Sequence, residues 1–258
     1  MEVFTINLVI SDIHGNIDAL NAVLNDAINR YRRFHKVIVL GDTVDYGADS
    51  LKVITRLRTF VEDSSNCDSF YCVRGNHEEA LNQGKSDFRT KHAKVNFKLT
   101  QKELKSLEGK DLEFYEKLSK APLRLNLEDQ SYVIACHGYL DNYLKGSPPS
   151  GKLSIPTKLD YVQRPRLATE VVLGGHSHIQ GFEYITCVFT GFCDVLYVNP
   201  GSVGQPRNGD PRAQYLVTDD QFTQFYFRQV NYDVESAADN IVRSGRPKFL
   251  ATRLFLGI

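Results

Sequence analysis

The sequence lacks a net charge, a long apolar run and any closely spaced pair of cysteines. Its 258 residues carry 31 Lys and Arg against 31 Asp and Glu, so no overall basic field attracts nucleic acid or an acidic membrane surface. The longest stretches without a charged residue, 171–182 and 195–206, have 12 residues each, whereas a membrane-spanning helix needs about 18 to 20. These absences argue against a membrane protein and against recruitment to nucleic acid by bulk charge.

Cysteine usage and the first residues both bear on the cellular compartment. The five cysteines are odd in number and contain no C-x-x-C pair, so neither a disulfide framework nor a cysteine-rich zinc module is expected. Glu2 stands where a secretory signal carries positive charge. We therefore expect reduced thiols and a cytoplasmic protein.

The first half of the chain alternates short apolar runs with segments of helical period, which is the pattern of βαβ units. Apolar runs predict strands at 6–10, 37–40 and 70–73. Between them, amphipathic helices are predicted to begin after Asn16 and after Asp49 or Ser50, which are residue types that cap helices. The three strands should be parallel, with right-handed crossovers.

The second half begins with a charged, helix-favouring region at 78–120, which we interpret as a helical cap inserted into the fold. Short apolar runs then predict strands at 123–127, 132–136, 171–173, 182–187, 195–198, 214–218 and 222–229. A helix is predicted around 234–243 and a final strand around 249–255. The fold class is α/β (α+β), and residues 1–258 are interpreted as a single domain.

Five apolar runs end at polar residues of metal-ligand type. Functional groups of α/β sheets gather outside the carboxyl ends of the strands, so five such endings can converge on one crevice. The candidate donors are Asp12, His14, Asp42, Asn76, His137, His176 and His178. This set exceeds what one divalent ion requires, and a bridging carboxylate would let it serve two ions about 3.5 to 4 Å apart.

The donor set consists of nitrogen and oxygen atoms only, which argues against a structural zinc site built on thiolates. Manganese, iron, zinc, cobalt and nickel all accept imidazole together with carboxylate, and manganese is the ion that we expect. Asp12 and His14 lie two residues apart, as do His176 and His178. The members of each pair point to the same side if the chain stays extended there.

Each motif, taken singly, also has a structural interpretation. Asp12 with His14 could form a helix-capping turn, and Asp42 with Asp45 could be turn formers in a loop bounded by glycines. His77 could belong to a strand-to-helix turn. The agreement of all the motifs along one chain favours the functional interpretation.

Five short motifs follow one another along the chain. They are D-I-H-G-N at 12–16, G-D-T-V-D-Y-G at 41–47, G-N-H-E at 75–78, H-G at 137–138 and G-G-H-S-H at 174–178. In this order they resemble the motifs of the calcineurin-like metallophosphoesterase superfamily. A later N-P-G-S-V-G-Q-P-R at 199–207 resembles the small single-domain phosphodiesterases of prokaryotic type within it. The resemblance implies a two-sheet β-sandwich flanked by helices, the αββα metallophosphoesterase fold.

The resemblance also divides the donors between two divalent ions. One ion would be held by Asp12, His14, Asp42 and His178. The other would be held by Asn76, His137, His176 and the bridging Asp42. A hydroxide bridging the ions would attack phosphorus in line, and His77 would protonate the leaving oxygen. Asp45 resembles the acid that orients this histidine.

One position departs from the protein serine/threonine phosphatases of the superfamily. Their second motif continues with an arginine that grips the phosphate, whereas Tyr46 follows Asp45 in this chain. A phosphoprotein substrate is therefore disfavoured. Tyr46 offers a flat wall for a base or an aryl ester, although it could equally pack against the edge of the sandwich. Arg74 is a second candidate substrate contact, with ion pairing as its alternative role.

The sequence thus predicts a dinuclear metal-dependent phosphoesterase that acts on a small phosphodiester or a nucleotide. The alternatives within this chemistry are a phosphomonoesterase and a dinucleoside polyphosphate hydrolase. An interaction scaffold of the same fold without metals is disfavoured because the complete ligand set is present. A nuclease is disfavoured because the chain carries no basic tail or net positive charge.

Overall fold

The computed structural model describes residues 5–85, 90–117, 122–154, 161–165, 168, 170–186 and 193–258. Its strands are β1 (Ile6–Ile10), β2 (Phe34–Val39), β3 (Cys67–Cys72), β4 (Leu123–Asn126), β5 (Tyr132–Ala135), β6 (Tyr161–Gln163), β7 (Glu170–Leu173), β8 (Gly181–Thr186), β9 (Cys193–Asn199), β10 (Ala213–Asp219) and β11 (Gln224–Val230). Its helices are α1 (Ile17–Tyr31), α2 (Ser50–Glu62), α3 (Asn76–Gln83), α4 (Lys91–Leu104), α5 (Gly109–Glu116), α6 (Val234–Arg243) and α7 (Lys248–Leu256).

The strands form two mixed sheets. One has six strands in the order β3-β2-β1-β10-β11-β6, and the other has five in the order β4-β5-β7-β9-β8. The neighbours β1, β2 and β3 are parallel, as predicted, and β5, β7 and β9 are parallel in the second sheet. The carboxyl ends of these six strands carry most of the predicted donors.

The sheets pack face to face, as the predicted sandwich requires. Val9 and Leu216 of the six-stranded sheet share a buried cluster with Val171 and Leu196 of the other. A second cluster fills the space between the outer face of the six-stranded sheet and helices α1 and α2. The two-sheet sandwich flanked by helices is therefore confirmed.

The charged segment predicted to be helical contains α3, α4 and α5. These helices lie beside α2, where Ile54 shares a buried cluster with Leu107 and Tyr115. The three helices therefore pack against α2 through an apolar patch of their own.

The predicted strand at 249–255 is wrong, because this segment is the helix α7. Leu250, Ala251 and Leu254 recur at helical spacing and pack against Ala237 and Ile241 of α6. The mixed apolar run conceals that spacing, since further apolar residues interrupt it on the exposed side. The strand β6 was not predicted; it has only three residues and lies at the edge of its sheet.

The predicted and observed bounds of other elements differ at their ends. The third strand begins at Cys67 rather than at residue 70, because Cys67 and the polar Ser69 also pair with β2. The end of the strand predicted at 182–187 lies outside the described residues. Within the described ranges, none of the helices combines the length and apolar character that crossing a bilayer requires.

Candidate metal centre

The structure brings the seven predicted donors together at one edge of the sandwich. Asp12 and His14 follow β1, Asp42 follows β2, Asn76 begins α3 after β3, His137 follows β5, and His176 and His178 follow β7. Six of the seven side chains belong to buried residues, and His176 is half-buried. Parallel strands end at the same edge of a sheet, and the face-to-face packing joins the edges of both sheets.

Left-handed backbone conformations are concentrated at this edge. Ten non-glycine residues of the described chain have positive φ angles. Seven of them are Asp12, His14, Asp42, Asp45, Tyr46, His176 and His178. Each such conformation costs about 1–3 kcal/mol and persists only where the surroundings enforce it, most often at functional sites. The pairs at 12–14 and 176–178 are therefore not extended, and tight turns rather than strand alternation aim their side chains inward.

The first group of donors comprises Asp12, His14 and His178. The Nε2 atom of His178 lies 3.2 Å from Asp12 Oδ1, and that of His14 lies 3.8 Å from the same oxygen. The two Nε2 atoms are 3.2 Å apart. Three ligand-type atoms therefore face one point.

The protonation of the two rings shows that this group fits a cation. His14 Nδ1 donates to the carbonyl oxygen of Val44 at 3.2 Å, and His178 Nδ1 donates to that of Gln205 at 2.6 Å. Burial lowers the pKa of both imidazoles well below the ordinary value, so the rings are neutral and their Nε2 lone pairs face each other. Asp12 Oδ1 beside them is buried and has no hydrogen-bond partner. A divalent ion would remove this repulsion.

The second group comprises Asn76, His137 and His176. Asn76 Oδ1 lies 3.0 Å from His137 Nε2 and 2.9 Å from His176 Nδ1. His137 is held by Leu40, whose carbonyl oxygen accepts from Nδ1 at 2.7 Å. Burial lowers the pKa of His137, but the charge of Asp42 outweighs this and raises it to about 10. Burial lowers the pKa of His176 to about 4.

Asp42 lies between the two groups. Its Oδ2 atom is 3.7 Å from His14 Nε2 and 3.2 Å from His137 Nε2. Burial alone would raise the pKa of Asp42, but His137 and His77 lower it well below the ordinary value, so the carboxylate is ionised. The close approach requires glycine at Gly75, where a Cβ atom would lie 2.1 Å from Asp42 Oδ1.

His77 lies beside both groups and has its own carboxylate partner. Its Nδ1 atom donates to Asp45 Oδ2 at 2.6 Å, and its Nε2 atom lies 3.9 Å from Asp42 Oδ2. Burial lowers the pKa of His77, but Asp42 and the hydrogen-bonded Asp45 raise it above the ordinary value overall. This histidine therefore has the raised pKa and the orientation of a general acid.

The other oxygen of Asp45 is held by the helical insert, a link that the sequence did not reveal. Asn96 Nδ2 and Thr100 Oγ1 of α4 both donate to Asp45 Oδ1, the latter at 2.8 Å. Both α4 residues are fully buried. They therefore fix the carboxylate that in turn orients His77.

Removing these donors tests whether they position His77. In Thr100→Val and Asn96→Ala, Asp45 can turn away from Nδ1, so the imidazolium loses its partner and its pKa falls. We expect kcat for a phosphate ester to fall by about 10-fold with little change in KM. In the pH profile of kcat, the decrease on the alkaline side should therefore begin at a lower pH than in the wild type.

The control for this experiment is Thr59→Val, which removes a hydroxyl that bonds only to carbonyl oxygens of its own helix α2. Its pH profile should match that of the wild type. An unchanged pH profile in both α4 variants, with kcat lowered only in proportion to lost folded protein, would show that the two residues are merely structural.

Glu78 is a second residue that the motifs contained without an assigned role. One of its oxygens accepts from the main-chain N–H of Thr43 at 2.6 Å and of Val44 at 3.2 Å, and from the Thr43 hydroxyl at 2.8 Å. The other accepts from the N–H groups of Asp42 at 2.9 Å and Gly75 at 3.0 Å. Glu78 is fully buried, so it ties together the two loops that carry Asp42 and His77.

The loop at 199–207 supports turns that carry residues of both donor groups. Ser202 Oγ donates to the carbonyl oxygen of Asp12 at 2.7 Å, and the N–H of Gly204 donates to the same oxygen at 3.0 Å. Asn199 Nδ2 donates to the carbonyl oxygen of Gly175 at 2.7 Å. The loop therefore braces the turns on which Asp12 and His176 lie.

Tyr46, a predicted substrate contact, lies at the site. Its ring centroid is 4.6 Å from those of His14 and His77. The far side of the ring packs against the cluster formed by α6 and α7. The ring thus borders the donor groups and packs against α6 and α7, and its contact with a substrate stays a prediction.

Arg74, the other predicted substrate contact, is buried next to α3. Its Nη1 atom lies 3.4 Å from Glu79 Oε2. With its amide oxygen turned toward the guanidinium, Asn82 accepts from all three nitrogens of Arg74 at 3.0–3.3 Å. The structure thus gives Arg74 two partners on α3, and its role toward a substrate stays a prediction.

The chain is similar to known proteins in sequence and in fold. An uncharacterized protein of Methanocaldococcus jannaschii, MJ0912, is 34% identical over 260 residues, which cover 96% of this chain and 97% of that protein. Two solved structures resemble the fold over 98% of this chain and 99% of theirs. They are a metallophosphoesterase from Sphaerobacter thermophilus (24% identity, TM-score 0.68) and the hypothetical protein PH1004 from Pyrococcus horikoshii OT3 (17% identity, TM-score 0.75).

The sequence itself matches the family model of the calcineurin-like phosphoesterases over residues 8–180. This region contains all seven donors together with Asp45 and His77. The match extends over more than half of the chain, and the two solved structures agree with it in fold. The chain therefore belongs to the calcineurin-like phosphoesterase family.

Proposed function

We propose that this protein is a metal-dependent phosphodiesterase that hydrolyses a small phosphodiester or nucleotide-type substrate at two divalent ions. The observation that carries the proposal is the position of Asp42, an ionised carboxylate within 3.7 Å of His14 in one donor group and 3.2 Å of His137 in the other. Such a shared carboxylate is typical of two-metal hydrolytic sites. Membership in the family supports phosphate-ester hydrolysis.

The short distances between donor atoms within each group suggest how the donors would divide between the two ions. Asp12, His14, His178 and Asp42 would hold one ion. Asn76, His137, His176 and Asp42 would hold the other. The bound ions would activate a water molecule and offset the negative charge of the phosphoryl oxygens. Manganese is the ion that we propose, because these imidazole and oxygen donors suit it and thiolates are absent from the set.

His77 completes the proposed reaction as the acid. Asp45 accepts the Nδ1 proton at 2.6 Å, so the second proton of the imidazolium lies on Nε2, on the side of the donor groups. Burial lowers the pKa of His77, but Asp42 and Asp45 raise it above the ordinary value overall, which favours the protonated form that an acid requires. His77 can then donate this proton to the oxygen of the leaving group as the ester bond breaks.

Removal and return of metal is the direct test. Protein treated with a chelator should not hydrolyse bis(p-nitrophenyl) phosphate, and manganese should restore turnover. The diester should be hydrolysed about 10-fold faster than p-nitrophenyl phosphate, because the monoester carries an additional negative charge that disfavours attack on phosphorus by a hydroxide nucleophile. The rate of p-nitrophenolate release measures both.

The outcomes separate the alternatives made from the sequence. Faster hydrolysis of the monoester would replace the proposal with a phosphomonoesterase. No turnover with manganese, iron, zinc, cobalt or nickel, together with no bound metal by elemental analysis, would favour an interaction scaffold instead.

A further inference from the structure

A cleft between α3 and α4 lies outside the proposed metal centre. Its volume of about 540 Å³ falls within the range of about 300–1,000 Å³ that ligand pockets occupy. Leu81 and Asn82 of α3 line one side, and Lys98 and Lys102 of α4, with Lys105 directly after it, line the other. The described residues around it include none of the seven donors. The helical insert therefore offers a second place for a ligand.

Three lysines give this cleft its charge. Lys98, Lys102 and Lys105 follow one another at spacings of four and three residues, so they lie on one face of the helix. All three are exposed, and the described residues that line the cleft include no aspartate or glutamate. Like charges at these spacings destabilise a helix. A bound anion would relieve their repulsion.

The carboxylates of the two helices are engaged elsewhere. Glu103, the acidic residue of α4, accepts from Arg246 Nη2 at 2.5 Å and from the N–H of Leu51 at 3.3 Å. Glu79 of α3 lies 3.4 Å from Arg74. Over the ranges that the structure describes, none of the three lysines forms an ion pair or a side-chain hydrogen bond. The fold therefore leaves their charges available to a ligand.

The floor of the cleft is apolar. Leu81, Leu104 and Tyr115 line it and belong to the cluster that packs the insert against α2. Leu81 and Leu104 are only half-buried, so part of their surface remains for a ligand. The amide side chains of Asn82 and Gln101 also line the cleft. Apolar surface beside a few polar groups is usual in small-molecule pockets, and it suits an aromatic ring with polar edges.

The spread of the lysines indicates the form of the anion. At about 1.5 Å per residue, Lys98 and Lys105 are separated by about 10 Å along the helix, which a chain of phosphates contacts more fully than a single phosphate does. We propose that the cleft binds a nucleoside polyphosphate, with its phosphates at the three lysines and its base against Leu81 and Leu104. Lysine binds phosphate as a point charge, without a fixed geometry. The site is separate from the metal centre, so this inference goes beyond the proposed function.

Calorimetric titration with a nucleotide that resists hydrolysis of its terminal phosphate tests the inference. The manganese-loaded protein should bind adenosine 5′-(β,γ-imido)triphosphate. Lys98→Gln and Lys102→Gln should each weaken this binding by about 10-fold, because each removes a charge-assisted contact with phosphate. Lys91→Gln is the matched control, since Lys91 is an exposed lysine of the same helix outside the cleft. Its affinity should stay within about 2-fold of the wild type, and equal affinity in both cleft variants would overturn the inference.

A chelator distinguishes this site from the metal centre. Because the cleft contains none of the seven donors, the binding that depends on the lysines should persist after the metal is removed. Loss of all binding on chelation would assign the nucleotide to the metal centre, which would overturn the inference and agree with the proposed function. The lysine variants are titrated in the manganese-loaded protein, so their result does not depend on the fold of the chelated chain.

Two further ligands separate the contribution of the phosphates from that of the nucleoside. Inorganic triphosphate carries the charge without the base and should bind about 10-fold more weakly than the nucleotide, because it leaves the apolar floor uncovered. Adenosine lacks the charge and should bind more weakly than the nucleotide as well. Equal affinity for inorganic triphosphate would refute the assignment of a nucleotide, and no binding of the nucleotide would refute the site. None of these readouts uses turnover, so failure of the inference is distinguishable from failure of the proposed function.

Discussion

Asp42→Asn is expected to lower kcat/KM for bis(p-nitrophenyl) phosphate by roughly 1,000-fold. The substitution removes the carboxylate that lies 3.7 Å from His14 Nε2 in one donor group and 3.2 Å from His137 Nε2 in the other, and asparagine does not supply its negative charge. Metal ions stabilise the charge of such a transition state by several kcal/mol. Each increase of about 1.4 kcal/mol in the activation free energy lowers the rate tenfold. Steady-state release of p-nitrophenolate with saturating manganese measures the loss.

Elemental analysis of the same variant should show fewer bound metal ions than in the wild type. Asp239→Asn is the control, because Asp239 is exposed on α6 and pairs only with Arg243 at 3.1 Å. Thermal melting should show that both variants fold. Full metal content and unchanged turnover in Asp42→Asn would refute the assignment of Asp42 as the shared ligand.

Glu78→Gln is expected to produce the largest loss of stability. The two oxygens of Glu78 accept five hydrogen bonds, and in either orientation the glutamine amide would direct an NH₂ group at N–H donors. Each buried donor left without an acceptor costs about 1–3 kcal/mol. We therefore expect the free energy of unfolding to fall by about 2–5 kcal/mol, measured by urea denaturation followed by circular dichroism.

Glu235→Gln is the matched control, since Glu235 also lies in the first turn of a helix but is exposed. It should change the free energy of unfolding by less than about 0.5 kcal/mol. An equally small change in Glu78→Gln would show that the five buried hydrogen bonds do not stabilise the folded protein by the amount expected. Activity should also fall in Glu78→Gln, because the loops bearing Asp42 and His77 lose their common anchor.

Much of the fold could be predicted because it depends on local patterns. The apolar runs at 7–11 before Asp12 and at 37–41 before Asp42 are buried, and the run before His137 is partly buried, so their composition identifies them without knowledge of their partners. The failures concern segments whose structure is decided by distant contacts. Helix α7 is specified by its packing against α6, and the edge strand β6 exists because it pairs with β11.

The candidate site shows the same division. Its donors could be located because each stands at the end of an apolar run, within a short motif. Asn96 and Thr100 carry no such signal, since they lie in the middle of an amphipathic helix and reach Asp45 across 51 and 55 positions of sequence.

The bond between α4 and Asp45 has a consequence for protein engineering. An insert that merely covered a site could be trimmed or exchanged to admit larger substrates. Here the same helix supplies the donors that fix the partner of His77, so exchange of the insert would also disturb the residue that we propose as the acid. Redesign of substrate access should therefore keep Asn96 and Thr100 in place and alter the exposed face of α4 instead.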